Sequence, residues 1–282
     1  MSRASRRVID WAMTLACGLL VLLALVPLAS LLWLVVSRGL PGLTPDFLAG
    51  RPAPVGETGG GVGNGIVGTL MMVGMASLVA IPVGVAAGVF LAEKGDGPFG
   101  RVVRFTTDVL SGVPSIVVGI VAYALVVLPM GHFSALAGSA ALTLLMIPPL
   151  ARSTEEFVRL VPTTLREASL ALGVPAWRTS LRVVLPTALG GIATASLLAV
   201  ARAAGETAPL LFTALNNAWW NLRPDQPTAS LTVQIFNYSI SPYEEWHRQA
   251  WSGALVLLLL VGLLNLAARL ATRARFADPS RR

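Results

Sequence analysis

Apolar positions along this chain fall into long, nearly unbroken runs, and its polar residues gather in short clusters between them. A helix needs about 20 apolar residues to cross the hydrocarbon core of a bilayer. Six segments reach that length, at roughly 10–36, 63–92, 106–130, 133–151, 187–213 and 249–271, the fourth being the shortest and ending just after Pro148-Pro149. The pattern predicts an all-α integral membrane protein of six transmembrane helices.

Between the fourth and fifth runs the period changes. From Ser153 to Leu185 the apolar residues Phe157, Leu160, Val161, Leu165, Ala168 and Leu172 recur mainly at spacings of three and four, which predicts an amphipathic helix lying along the membrane. Pro162 suits the first position of a restarted helix, Gly173 the left-handed residue that ends it, and Pro175 blocks continuation. A second short helix is expected over about Pro175 to Val184, leading through Leu185-Pro186 into the fifth span.

The other connections differ in kind. Ser37 to Val62 is rich in Pro and Gly and reads as an irregular link. Leu215 to Arg248 carries Trp219, Trp220, Tyr238, Tyr243 and Trp246, aromatics suited to a membrane interface or to docking of an external protein. Inside the spans, Pro82, Gly84, Gly88, Pro114, Gly119 and Pro129 predict close helix contacts and local breaks.

Composition adds the class and charge adds the orientation. Hydrophobic residues are 55% of the 282 and charged residues 12%, which leaves no polar domain of any size. With the N-terminus inside, sixteen of the 21 basic residues lie in inner segments: Arg3, Arg6 and Arg7, then Lys94, Arg101 and Arg104, then Arg152 to Arg182, then Arg269 to Arg282. Arg38, Arg51, Arg223 and Arg248 lie outside. That asymmetry places both termini in the cytoplasm. The net charge of +7 then reflects topology and attraction to anionic membrane lipid, with no basic domain to bind nucleic acid. The run from Trp11 to Val36 is far longer than a signal-peptide core and is expected to be a retained anchor. Cys17 is the sole cysteine, so an internal disulfide and a cysteine metal cluster are both excluded.

Two ionisable residues remain inside a predicted span, Arg202 and Glu206. Each costs about 2.5 to 3.5 kcal/mol at a helix centre. At i and i+4 they can neutralise each other, although Arg before Glu is the weaker order; partners on other helices, or a polar pathway, are the alternatives. An arginine fork suits an oxyanion, and a carboxylate beside it suits an anion that still carries a proton. Phosphate near neutral pH can donate a hydroxyl to that carboxylate, whereas sulfate can only accept and is left with a repelled contact.

Other chemistry finds little support. His132 and His247 both fall in predicted outer loops, and no His-Glu-x-x-His occurs, which argues against an intramembrane protease. The sole lysine, Lys94 in Glu93-Lys94-Gly95, is not in a P-loop, so an ATP-driven process needs a separate ATPase. A secondary anion transporter would use a charged pair but not a polar docking helix.

The stretch from Glu167-Ala168-Ser169 to Gly173, followed by Leu185-Pro186, resembles the cytoplasmic loop of binding-protein-dependent ABC importer permeases, with Ser169 in place of their second alanine. Arg202-Ala-Ala-Gly-Glu-Thr-Ala-Pro-Leu-Leu, with Gly63-Asn-Gly-Ile-Val-Gly-Thr-Leu and Ser111-Gly-Val-Pro-Ser-Ile-Val-Val-Gly-Ile, is similar to the phosphate-specific permeases of the A-subunit type, over about Gly60 to Leu270. The resemblance implies a type I ABC importer permease (MetI-like) fold in a bacterial inner membrane. Residues 1–62 would be an anchor and outer loop, 63–271 a permease core with a coupling loop at 153–185, and 272–282 a cytoplasmic tail. It assigns Glu167, Ala168, Gly173, Leu185 and Pro186 to ATPase coupling, and Arg202, Glu206 and Thr207 to the substrate pathway. The implied partners are a C-type phosphate permease, two ATP-binding subunits that use ATP and Mg, and a periplasmic phosphate-binding protein. No cofactor and no catalytic site are expected in this chain itself. A sulfate or molybdate permease is the near alternative, and Glu206 weighs against it.

Overall fold

A computed structural model describes residues 3–276, and all regular structure among them is helical. Arg281 and Arg282, counted above in the basic tail, lie outside the described residues. Helix α1 is Arg3–Gly39, α2 Pro45–Ala49, α3 Gly63–Lys94, α4 Pro98–Gly112, α5 Ser115–Met130 and α6 Ala135–Arg159. These are followed by α7 Thr163–Ala171, α8 Ala176–Ala204, α9 Ala208–Leu211, α10 Leu231–Ser239 and α11 Glu244–Phe276. Five helices are long and apolar enough to cross a membrane, and six if the bent pair α4–α5 counts as one span.

The centre of the bundle is the pair α3 and α6. Gly84 and Gly88, one turn apart, allow it: a Cβ on Gly84 would stand 2.7 Å from Leu150 Cβ, and one on Gly88 2.5 Å from the Ala151 carbonyl oxygen. In lipid, where apolar burial drives little association, such close backbone approach supplies the packing. Met72, Val73, Ala76 and Ala80 of α3 meet Leu142, Met146 and Leu150 of α6 and Ala199 and Ala203 of α8 in one core. Gly88→Leu should therefore lower stability by about 1 to 3 kcal/mol, as overpacking does. Gly190→Ala, at a helical glycine with nothing within 4 Å of its virtual Cβ, should not lower it and gains about 0.5 to 1 kcal/mol of helix propensity. Thermal unfolding of the purified protein in detergent compares the two.

Helix α1 stands apart, exposed along nearly its whole length and anchored at its end. There Gly39 lies against Trp251 and Leu255 of α11, and Ser252 Oγ donates to the Gly39 carbonyl at 3.0 Å.

Three expectations need correction. The predicted span at 106–130 is not one straight helix, because α4 and α5 meet at 107°. Val113, held extended at ψ 130 by the following Pro114, cannot continue α4. The fourth helix does not end near Pro148-Pro149 but runs on to Arg159, with Pro148 buried among its neighbours. The fifth begins at Ala176 and ends at Ala204, so the second short helix of the loop is its first turns.

Two of the proline-containing helices, α5 and α8, use the same device to continue. The turns Tyr123–Val127 and Ser180–Val184 are widened to π geometry, just before Pro129 and Pro186. The N–H of Leu128 reaches the Tyr123 carbonyl and that of Leu185 the Ser180 carbonyl, an i→i−5 pattern that makes room for the proline ring.

Candidate functional site

The acidic and basic residues that matter lie at the two ends of α8. At its C-terminal end Arg202 occupies the last helical turn, where a cation offsets the negative end of the helix dipole. The helix stops at Gly205, and Glu206 lies beyond it, so the two residues are not on one helical face as predicted. They still approach each other, with Arg202 Nε 3.7 Å from Glu206 Oε1. This contact is longer than a hydrogen bond. The Arg202 side chain is 64% exposed and that of Glu206 16%. Leu145, Met146, Pro149, Ala199 and Ala203 form the apolar wall behind them. Thr207 caps α9 through its backbone, its carbonyl accepting from Leu210 and Leu211 at 3.1 and 3.2 Å, while its side chain makes no capping bond.

What holds Glu206 in place is the start of α10, brought back against the bundle by the irregular segment before it. Thr232 Oγ1 donates to the Glu206 carbonyl at 2.9 Å. Asn64 Nδ2 donates to the Asn217 carbonyl at 2.6 Å, and Thr69 Oγ1 accepts from Leu231 N at 2.9 Å. Gln234 Nε2 donates to the Gly61 carbonyl at 3.0 Å. Non-helical backbone at such a position needs these partners. A Cβ on Gly68 would stand 2.0 Å from the Ala229 carbonyl oxygen, which gives the Gly63-to-Leu70 motif its physical reason. Asn64, Thr69 and Gln234 were missed because periodicity treats a buried polar residue as a defect in an apolar run.

The 215–248 connection is also more ordered than predicted. It contains α10, and Tyr238 is buried against Trp246, ring centroids 5.0 Å apart, while Trp219 and Trp220 are exposed. The hydrogen bond from Arg223 holds the Asp225 carboxyl below its ordinary range. Next to that pair, the Pro224 and Gln226 carbonyls accept from Leu136 and Ala135 at the start of α6.

At the other end of α8 lies the loop. Gly173 takes φ +78, the left-handed conformation predicted for it, and ends the loop helix. The direction of α7 corrects the expectation for its apolar face: Leu165, Ala168 and Leu172 point outward, Leu172 being 84% exposed, and Glu167 is exposed beside them. Inward it turns Ser169, whose Oγ lies 2.9 Å from Thr179 Oγ1 at the start of α8. The serine that stands for an alanine is thus a clip across the glycine turn. Leu185 packs on Val158, Val161, Val184, Ala188 and Ile192, and Pro186 sets the wide turn before it.

Two carboxylates that the sequence pattern did not single out organise this end. Glu155, 3% exposed, receives Arg104 at 2.7 Å and Arg159 at 3.0 Å, tying α4 to α6. Glu93 at the end of α3 pairs with Arg166 of α7 and accepts from Ser180 Oγ at 3.0 Å.

The sequence pattern of the binding-protein-dependent transport system inner membrane component matches residues 84–275. The phosphate transport system permease protein PstA of Yersinia pestis is 43% identical over 85% of this chain and 82% of its own. That of Haemophilus influenzae is 42% identical over 89% of each. PstA 1 of Mycobacterium tuberculosis is 40% identical over 89% of this chain and 86% of its own. A chain of the MetNI methionine ABC transporter, in an inward-facing conformation, superposes with a TM-score of 0.63 at 22% identity, over 76% of this chain and 95% of that one, and so shares the fold. An all-helical bundle that fits the MetNI chain, matches that pattern over most of its length and aligns with PstA proteins almost end to end belongs to the binding-protein-dependent inner-membrane permeases, in their PstA branch.

Proposed function

We propose that this chain is the membrane permease subunit of an ATP-driven inorganic phosphate importer and forms half of its translocation pathway. The observation that carries this reading is Arg202, a guanidinium exposed on α8 with a recessed carboxylate beside it. An exposed arginine on an otherwise apolar surface needs a polar counterpart, and an anion in a pathway shared with a second permease subunit supplies one. A C-type permease is that second subunit in this reading. Arg202, Glu206 and Thr207 line the pathway.

The end of the bundle that carries Glu93, Glu155 and the arginines around them faces the cytoplasm in this proposal. An ATP-binding subunit docks there on the outward face of α7, built from Glu167, Leu165, Ala168 and Leu172. A second ATP-binding subunit serves the other permease, ATP and Mg are consumed on those subunits, and an external phosphate-binding protein delivers the anion.

Vesicles holding all the subunits test this directly: ATP-dependent uptake of labelled phosphate should require this chain. Introducing charge into the outward face, as in Leu165→Glu with Leu172→Glu, should release the ATPase from the purified complex. The permease itself should keep its thermal stability, since both side chains are exposed. Retention of the ATPase by that variant would place the docking surface elsewhere.

A further inference from the structure

We infer that Glu93 is the positioning residue through which movement of the docked loop reaches the spans. The inference rests on the docking of an ATPase at α7, and concerns what happens to the force afterwards.

Glu93 sits in the last turn of α3 with its side chain 22% exposed, and its two carboxylate oxygens hold two different elements. Oε1 takes the Arg166 guanidinium from α7, and Oε2 accepts from Ser180 Oγ in the wide turn of α8 at 3.0 Å. Arg166 extends the joint to a fourth helix, its Nη2 donating to the Val158 carbonyl of α6 at 3.0 Å. One carboxylate thus connects the outward-facing loop helix to α3, α6 and α8.

Its surroundings make that connection a lever. Beside Glu93 and Ser180 an open groove of about 830 Å³ runs along the seam of α3 and α8, lined by Val85, Val89, Phe90, Leu185, Leu189 and Ile192. Helices packed along one side of an open groove can change their angle at lower cost than α3 and α6, whose backbones are in close contact at Gly84 and Gly88. Ser180 lies within the π turn, where the helical ladder is already widened and bends most readily. A pull on Arg166 is therefore applied at one end of α8, and Arg202 lies at the other. Glu155 differs: it is buried and held by two close arginines on α4 and α6, an arrangement suited to bracing.

The test compares Glu93→Gln with wild type in the complete transporter. Glutamine has one acceptor oxygen in place of two: with that oxygen on Arg166 the guanidinium loses the opposing negative charge, and the amide N–H then donates to Ser180 Oγ where the carboxylate accepted from it. The complex should purify with its ATPase and hydrolyse ATP at the basal rate. Phosphate uptake, and the rise in ATP hydrolysis on adding the binding protein, should fall about tenfold, the factor for a bond weakened by about 1.4 kcal/mol. The swapped pair Glu93→Arg with Arg166→Glu should recover part of the loss. Uptake at the wild-type rate in Glu93→Gln would overturn the inference, and so would loss of the ATPase from that complex, which would make Glu93 a docking or folding residue. Leu172→Glu, run alongside, isolates the underlying reading: if it keeps its ATPase, docking at α7 is what fails.

Discussion

Arg202→Ala should abolish phosphate uptake and leave a folded, assembled permease. The side chain is 64% exposed and its one ionic contact is long, at 3.7 Å, so little of the fold depends on it. The loss at the helix end is about 0.3 to 1 kcal/mol from the dipole. In the pathway the same guanidinium would meet a doubly charged oxyanion away from bulk water. Removing one partner of such a pair costs about 2 to 5 kcal/mol, or roughly 30- to several-thousandfold in rate if the contact is made in the step that limits transport. Arg202→Lys should fall between, because an ammonium keeps the charge and loses the planar fork. Uptake in reconstituted vesicles, measured beside thermal stability and subunit content, decides the matter. An Arg202→Ala permease that fails to assemble would mean that the arginine pairs with the partner subunit.

Much of this architecture was legible in the sequence because hydrophobic runs are written residue by residue. The long runs gave the spanning helices, and Gly173 with Pro175 gave the turn after α7. Where the reading departed from the structure, one signal had two outcomes. Pro114 breaks the chain at Val113, whereas Pro82 and Pro148 lie within continuous helices. The difference is tertiary, since neighbouring helices can satisfy the carbonyls that a proline frees. Gly205 ended α8 for a similar reason: an isolated glycine in an apolar run is compatible with a helix, and the turn is fixed by Thr232 holding the Glu206 carbonyl, a contact 26 residues away in sequence. The face of α7 was found but its direction was not. Periodicity shows that Leu165, Ala168 and Leu172 share a side, and says nothing of whether that side meets this chain or another. Glu93 and Glu155 were invisible as joints because a carboxylate at the end of a span looks the same whether it is solvated or bridged.

Glu206→Gln should relax the discrimination between phosphate and sulfate more than it weakens phosphate itself. The carboxylate is recessed, 16% exposed, and its Oε1 faces Arg202 across 3.7 Å, so an anion drawn to the guanidinium comes close to a second negative charge. Phosphate can turn that contact into a hydrogen bond by donating its hydroxyl; sulfate has no proton to give. Like charges brought together in such a site cost several kcal/mol, so the carboxylate rejects sulfate by about 100-fold or more. Glutamine removes the repulsion and offers an amide N–H, which sulfate can accept. Phosphate keeps an acceptor in the amide oxygen and loses about tenfold, the difference between a charged and a neutral hydrogen bond. The external binding protein makes its own selection upstream, so the comparison belongs in the purified permease complex without it, with sulfate and phosphate titrated separately. A Gln variant that still excludes sulfate would reduce Glu206 to an orienting partner of Arg202, and selectivity would then have to come from the residues that the second permease subunit brings to the other side of the pathway.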